Sequence, residues 1–373
     1  MTRRAVRSHP ALVRAALLLG ALLVPVVLAE LGLRIAGYDP LARTKAGAEI
    51  ALRPTDWPHL RYELAPGVET FAWGAEVTVN DRGYRGPERP IVEPRRRIVV
   101  LGDSITFGNR LPFGATYPAV LHGLLSPLGI DVINLGVGGY DTIQEVALLK
   151  KRGLAERPSL VILGFCLNDA GIVSGNLEFM EAELAWRDSW WSRLRLGALA
   201  GETLRKRRLR NWLREMNEPE NFRRSYQGLI DEIAANDPVR KLMAAVPDVH
   251  PARWYRSAER VGRIRHGFSD LGRLSRQHGF PVVVAIIPAL IQEGNEYPYG
   301  IVHDVVAYEA RRAGLEVVDL GVSFLRAGMD SLRIDPGDSI HPNAKGHEII
   351  GVTLGAYLHG RVPKSLGRAE ERR

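Results

Sequence analysis

The chain has 373 residues, 46% hydrophobic and 25% charged, which excludes a disordered or fibrous protein and suits one large α/β domain with appendages. Its single cysteine, Cys166, excludes an internal disulfide and reads as a small buried residue, and no Cys/His group has metal-ligand spacing, so no metal is expected. A net charge of +8 and a pI near 9.7 would suit nucleic acid, a partner that the export pattern at the start of the chain argues against.

Arg3, Arg4, Arg7 and Arg14 precede an uncharged run from Ala15 to Ala29, and Glu30 and Arg34 follow it. A basic flank ahead of an apolar core marks an export signal or signal-anchor, here residues 1–36, with the rest of the chain outside the cytoplasm, periplasmic or extracellular. As helix the run spans about 22 Å, short of a ~30 Å hydrocarbon layer; adding Ala11 to Val13, with Arg14 snorkelling, nearly closes the gap. A membrane tether is the expectation. Val27-Leu28-Ala29 also offers a cleavage site that would release a secreted protein, and no cysteine follows to carry a lipid. Residues 37–95 are rich in Pro, Gly and aromatics, with strand-like alternation at Ala75-Glu76-Val77-Thr78-Val79 and turn chemistry at Asn80-Asp81-Arg82-Gly83. They read as a stalk and small β-rich lead-in.

From Arg97 onward strand and helix alternate. The aliphatic run 97–101 reads as a buried strand and stops on Gly102-Asp103-Ser104, placing Ser104 at a strand's carboxyl end, where open α/β sheets bind ligands. A helix is expected over Tyr117 to Leu125, a strand over 131–135 and a helix over Thr142 to Lys151. Gly136-Val137-Gly138-Gly139-Tyr140 forms the loop between the last two. The strand at 159–164 leads into Gly164-Phe165-Cys166-Leu167-Asn168-Asp169. Residues 171–255 read as a helical insertion in which Trp186, Trp190, Trp191 and Leu194, with Trp212 and Trp254 later, suggest a packing face; a lid or an interfacial helix is the alternative. The basic block Arg205-Lys206-Arg207-Arg208 and Arg210 suits a solvated face, or attraction to anionic lipid or polysaccharide. Then come a helix over Arg256 to Gln277, a strand over Val282 to Ile287, a helix over Val302 to Ala313, a strand over Leu315 to Leu320 and a last helix starting at Pro342. A charged tail, 363–373, follows. Five strands joined by helices predict a flavodoxin-like three-layer α/β/α fold with a five-stranded parallel sheet, spanning 96–362.

Just before that last helix the chain reads Asp338-Ser339-Ile340-His341-Pro342-Asn343. An Asp and a His three apart can project from one turn, so that the carboxylate holds the imidazole ready to accept a serine proton. Gly-Asp-Ser alone is a weak signal, since Asp103 could simply cap a helix, and Asp-x-x-His alone is no stronger. With a Gly-rich loop and an Asn-Asp loop between them at successive strand ends, the chain resembles the SGNH (GDSL-type) hydrolases, membrane-anchored or exported bacterial members included. The resemblance covers roughly Arg97 to Gly360. It implies Ser104 as nucleophile, Asp338 and His341 as its partners, and Gly139 and Asn168 as oxyanion donors beside the Ser104 amide, with no cofactor. Gly138 competes with Gly139, and three residues separate Gly164 from Asn168 where the family pattern has one. No Gly-x-Ser-x-Gly elbow is present, which argues against the larger α/β-hydrolase fold.

The expected function is an exported serine esterase acting on ester-linked acyl groups, with O-acetylated cell-envelope or secreted carbohydrate favoured. An O-acyltransferase to polysaccharide shares the same motif, a lipase- or phospholipase-like esterase would explain a Trp-bearing lid, and an inactive envelope scaffold is the non-enzymatic rival.

Overall fold

The computed structural model describes residues 10–37, 51–60, 62–88, 96–171, 194–197, 220–236 and 238–359. The chain divides into two compact units, Met1–Lys45 with Glu178–Glu215, and Ala46–Leu177 with Met216–Arg373. In the first, helix α1 runs from Pro10–Ile35 over Pro25, and its Glu30 carboxylate accepts the backbone N–H groups of Arg195 and Leu196 at 3.0 and 2.9 Å. Among the described residues no helix is long and apolar enough to cross a membrane; several side chains inside α1 lie outside the described set. So do Trp186, Trp190, Trp191, Trp212, the Arg205–Arg210 block and the charged tail.

The second unit is organised by the aliphatic run of the first parallel strand. Side chains alternate across a strand, so Ile98 and Val100 enter one core cluster while Val99 and Leu101 enter the other. A strand buried on both faces needs a helical layer on each. The sheet comprises β5 (Arg96–Gly102), β6 (Ile130–Asn134), β7 (Leu160–Cys166), β8 (Val282–Ile287) and β9 (Glu316–Asp319), all parallel in the order β6-β5-β7-β8-β9. Val99 pairs with Ile133 on one side and Val161 on the other. Over one face pack α4 (Thr142–Lys151), α7 (Ala258–His278) and α8 (Gly300–Arg312), through Val146, Phe268 and Val305. Over the other pack α3 (Tyr117–Leu125), α9 (Gly321–Ala327) and α10 (Ala344–His359), through Leu121, Phe324 and Leu354. Each such side chain taken fully out of water contributes roughly 1.5–3 kcal/mol, so the layered core is the dominant source of stability.

Within the insertion α5 (Glu220–Asn236) and α6 (Val239–Ala245) are described, followed by a 3-10 turn at Ala252–Arg256 that half-buries Trp254 against the core. The last helix begins at Ala344, two residues after the proline expected to open it. A residue before proline is driven toward extended backbone, and Pro342 accordingly forms an isolated bridge with Arg333. Asn343 takes over the capping, accepting the N–H groups of Lys345 and Gly346 on its Oδ1 at 3.0 and 3.1 Å.

The lead-in folds as two antiparallel pairs, β1 (Leu52–Pro54) with β2 (Tyr62–Leu64) and β3 (Val68–Ala72) with β4 (Ala75–Val79). Tyr62, Leu64, Val77, Val79 and Tyr84 enter the same core cluster as Val99 and Leu101. Glu63, 2% exposed, is met by Arg53, Lys151 and Arg152 at 2.7–2.9 Å. Burial pushes its carboxyl up, but hydrogen bonds from Arg152 and Lys151 and the Arg152 charge outweigh that and leave it at about 2. An ionised Glu63 thereby ties the lead-in to the end of α4.

Candidate active site

Strand β5 ends in a backbone that only glycine adopts readily. Gly102 has φ +153°, and a Cβ there would lie 1.9 Å from Thr106 Oγ1. The chain then turns into the short helix α2 (Ser104–Phe107), with Asp103 as cap, its Oδ1 accepting the Ile105 N–H at 2.8 Å. Ser104 is 7% exposed at the helix start.

The loop after β6 folds over α2. Asn134 donates through Nδ2 to the Thr106 carbonyl and accepts the Gly136 N–H, both at 2.8 Å, and the Val137 N–H reaches the Gly102 carbonyl at 3.0 Å. A Cβ on Gly138 would lie 3.9 Å from the Ser104 Cβ, so the Gly138–Gly139 peptide borders the serine. Gly139 has φ +81°. After β7, Asn168 sits in a 3-10 turn and donates through Nδ2 to Asp103 Oδ2 at 3.0 Å. The second amide hydrogen remains for another acceptor, and the wide spacing of the third motif does not keep Asn168 from Ser104's neighbourhood.

From the far end of the chain, the turn at 335–341 brings in the remaining pair. Asp338 Oδ1 accepts the backbone N–H groups of Ile340 and His341 at 3.0 and 2.9 Å, and Oδ2 faces His341 Nδ1 at 2.9 Å. His341 Nε2 lies 2.9 Å from Ser104 Oγ. With Nδ1–H donating to the Asp338 carboxylate, Nε2 is the acceptor, so the serine hydroxyl can donate to it; Asp103 Oδ2, 3.2 Å away, is the competing acceptor. Partial burial pushes the Asp338 carboxyl up, and the His341 and Ile340 amides together with the imidazole reverse this, holding it below the usual carboxylate range. Arg110 pairs with Asp335 and stands 4.0 Å from Asp338 Oδ2. The five expected residues, Ser104, Gly139, Asn168, Asp338 and His341, thus converge on one place.

Burial and the adjacent Asp103 and Asp169 push the Cys166 thiol well up, which removes it as a nucleophile. His347, buried, accepts the Tyr117 N–H on Nδ1 at 3.1 Å; burial lowers it to about 3. Sequence reasoning passed over Asn134, which carries the β6 loop, and Glu145, fully buried on α4. Neither Glu145 carboxylate oxygen has a hydrogen-bond partner among the described residues, and burial followed by the Asp169 charge pushes it well above the carboxylate range. Asp169 is raised by burial and by Asp103 and Asp141. Buried carboxyls in a motif-free helix carry no local sequence signal.

The GDSL-like Lipase/Acylhydrolase family model matches residues 100–349. The chain belongs to this family. As a GDSL-like acylhydrolase it hydrolyses ester bonds, and the matched segment spans the parallel five-stranded sheet from within β5 to β9. Among solved structures it is similar to Axe2, an acetylxylan esterase from Geobacillus stearothermophilus, at 16% identity over 73% of this chain and 94% of that one, with a TM-score of 0.41. The acetyl xylan esterase AlAXEase is 12% identical over 70% and 99%, with a TM-score of 0.39. A putative lipolytic G-D-S-L protein of Desulfitobacterium hafniense DCB-2 is 13% identical over 70% and 99%, with a TM-score of 0.34. No curated protein matches the chain.

Proposed function

We propose that this acylhydrolase is an exported, membrane-tethered serine esterase that removes small acyl groups, acetyl foremost, from cell-envelope or secreted carbohydrate. The observation that carries the mechanism is the continuous path Ser104 Oγ, His341 Nε2, His341 Nδ1, Asp338 Oδ2, with 2.9 Å at both hydrogen bonds. Ser104 Oγ attacks the acyl carbonyl as His341 Nε2 takes its proton, and Asp338 steadies the imidazolium that forms. The carbonyl oxygen becomes an oxyanion, held by the Ser104 and Gly139 amides and the second Asn168 Nδ2 hydrogen. Neither backbone N–H is hydrogen-bonded to another described residue. Collapse expels the alcohol, which receives the proton from His341, and water deacylates Ser104 by the same route.

The basic flank and uncharged run of α1 support export, as do its apolar side chains, with Leu17, Leu18, Leu23, Val24 and Leu28 each more than half exposed. Export puts envelope polysaccharide within reach, which favours a carbohydrate ester over a phospholipid. Ser104→Ala and His341→Ala should each abolish ester hydrolysis, and near wild-type turnover in either would sink the mechanism. For the acyl group, kcat/KM should fall steeply beyond butyrate across p-nitrophenyl acetate, butyrate, octanoate and palmitate, with acetate released from acetylated xylan; a rise toward long chains would make the enzyme a lipase.

A further inference from the structure

Resting on the oxyanion assignment above, we propose that Tyr62, in the lead-in and outside the matched family segment, is a positioning residue that latches the oxyanion hole. Its hydroxyl donates to the Gly138 carbonyl at 2.8 Å. That carbonyl and the Gly139 N–H belong to one planar trans peptide and point in opposite directions. Holding the oxygen on Tyr62 therefore aims the N–H the other way. The peptide lies between two glycines, the residues that least resist a rotation of the peptide plane, and Gly139 sits at φ +81°. A flip would turn the N–H away from the substrate, and neither glycine has a side chain to oppose it.

Tyr62 is built for such a task. It is 1% exposed in β2, its backbone carbonyl accepts the Tyr140 hydroxyl, and the two rings meet edge to face at 5.3 Å. Tyr140 immediately follows Gly139, and its hydroxyl bond to the Tyr62 carbonyl braces the lead-in strand without touching the Gly138–Gly139 peptide that the Tyr62 hydroxyl holds. The lead-in thereby completes the active site in addition to covering it.

The test is Tyr62→Phe in the full chain, with Tyr140→Phe as comparison and Gly139→Ala to close a double-mutant cycle. Tyr62→Phe should lower kcat on p-nitrophenyl acetate about 10- to 100-fold, less than or near the loss of an oxyanion donor, with KM within about 2-fold. Phenylboronate, which mimics the tetrahedral state, should bind more weakly by a similar factor. Tyr140→Phe should lower the melting temperature while keeping kcat within about 3-fold. In the Gly139→Ala background, Tyr62→Phe should add little, because the N–H it orients is already displaced. Wild-type kcat in Tyr62→Phe would overturn the latch, as would equal losses of kcat in the two tyrosine variants or full additivity with Gly139→Ala. Activity surviving in Ser104→Ala would instead sink the underlying serine mechanism; an inactive Ser104→Ala beside a fully active Tyr62→Phe would sink the latch alone.

Discussion

The two halves of the active site are held in different ways. Ser104, Gly139 and Asn168 stand at the ends of β5, β6 and β7, so their positions are set by a sheet buried on both faces. Asp338 and His341 stand on a turn that organises itself, one carboxylate accepting two backbone amides and the imidazole within four residues. The first half depends on the whole core; the second draws its shape from hydrogen bonds within the turn, with Arg110 and the Leu290 N–H as outside ties, so chemistry can be removed from the turn at little cost to the fold, whereas the strand ends couple the two.

Asp338→Asn is the sharpest way to expose that difference. It should lower kcat by about 10³- to 10⁴-fold, because the amide no longer enforces the Nδ1–H tautomer. The melting temperature should stay within a few degrees; a collapse of stability would show that the turn is tied to the core after all. Gly102→Ala tests the other half. A Cβ 1.9 Å from Thr106 Oγ1 and 3.0 Å from the Gly164 carbonyl, at φ +153°, should cost about 4 kcal/mol or more in denaturant unfolding and take activity with it. A stable Gly102→Ala enzyme would deny that the strand end is so constrained.

The smallest effect concerns Glu145. Its carboxyl is raised in the fold, so above about pH 4.5 the unfolded chain releases a proton that the native state keeps, and stability falls as pH rises. Glu145→Gln removes that dependence. The variant should match wild type near pH 4 and be the more stable of the two at pH 8 in urea titrations; a loss at pH 8 would mean that the ionised carboxylate is needed.

Much of this was legible because strong periodicity and turn chemistry coincide. The helix over Thr142–Lys151 and the strand over Val282–Ile287 fall at the residues expected, the first bounded by Asp141 in a capping box with Gln144. The last helix was misplaced because Pro342 suits a first turn on its own, while its effect on His341 and the capping power of Asn343 act together against that position. Ser104, Gly139 and Asn168 could be read because each lies within a few residues of a strand end, and Asp338 with His341 because the two fall three apart in one turn. What could not be read were contacts across long separations, Tyr62 with Gly138 and Asn168 with Asp103, and the burial that pushes the Glu145 carboxyl up. Periodicity reports which face of an element is apolar and says nothing of which distant hydroxyl meets which carbonyl.

The seating of Glu63 among Arg53, Lys151 and Arg152 bears on how the enzyme can be cut. The matched family segment begins at residue 100, and trimming the chain to it would leave two cations at the end of α4 without their carboxylate and strip Tyr62, Leu64 and Val79 from the sheet's covering. Such a fragment would offer fresh apolar surface for self-association. A soluble enzyme should therefore start upstream of Ala51, where the antiparallel pairs and their ion cluster are kept whole.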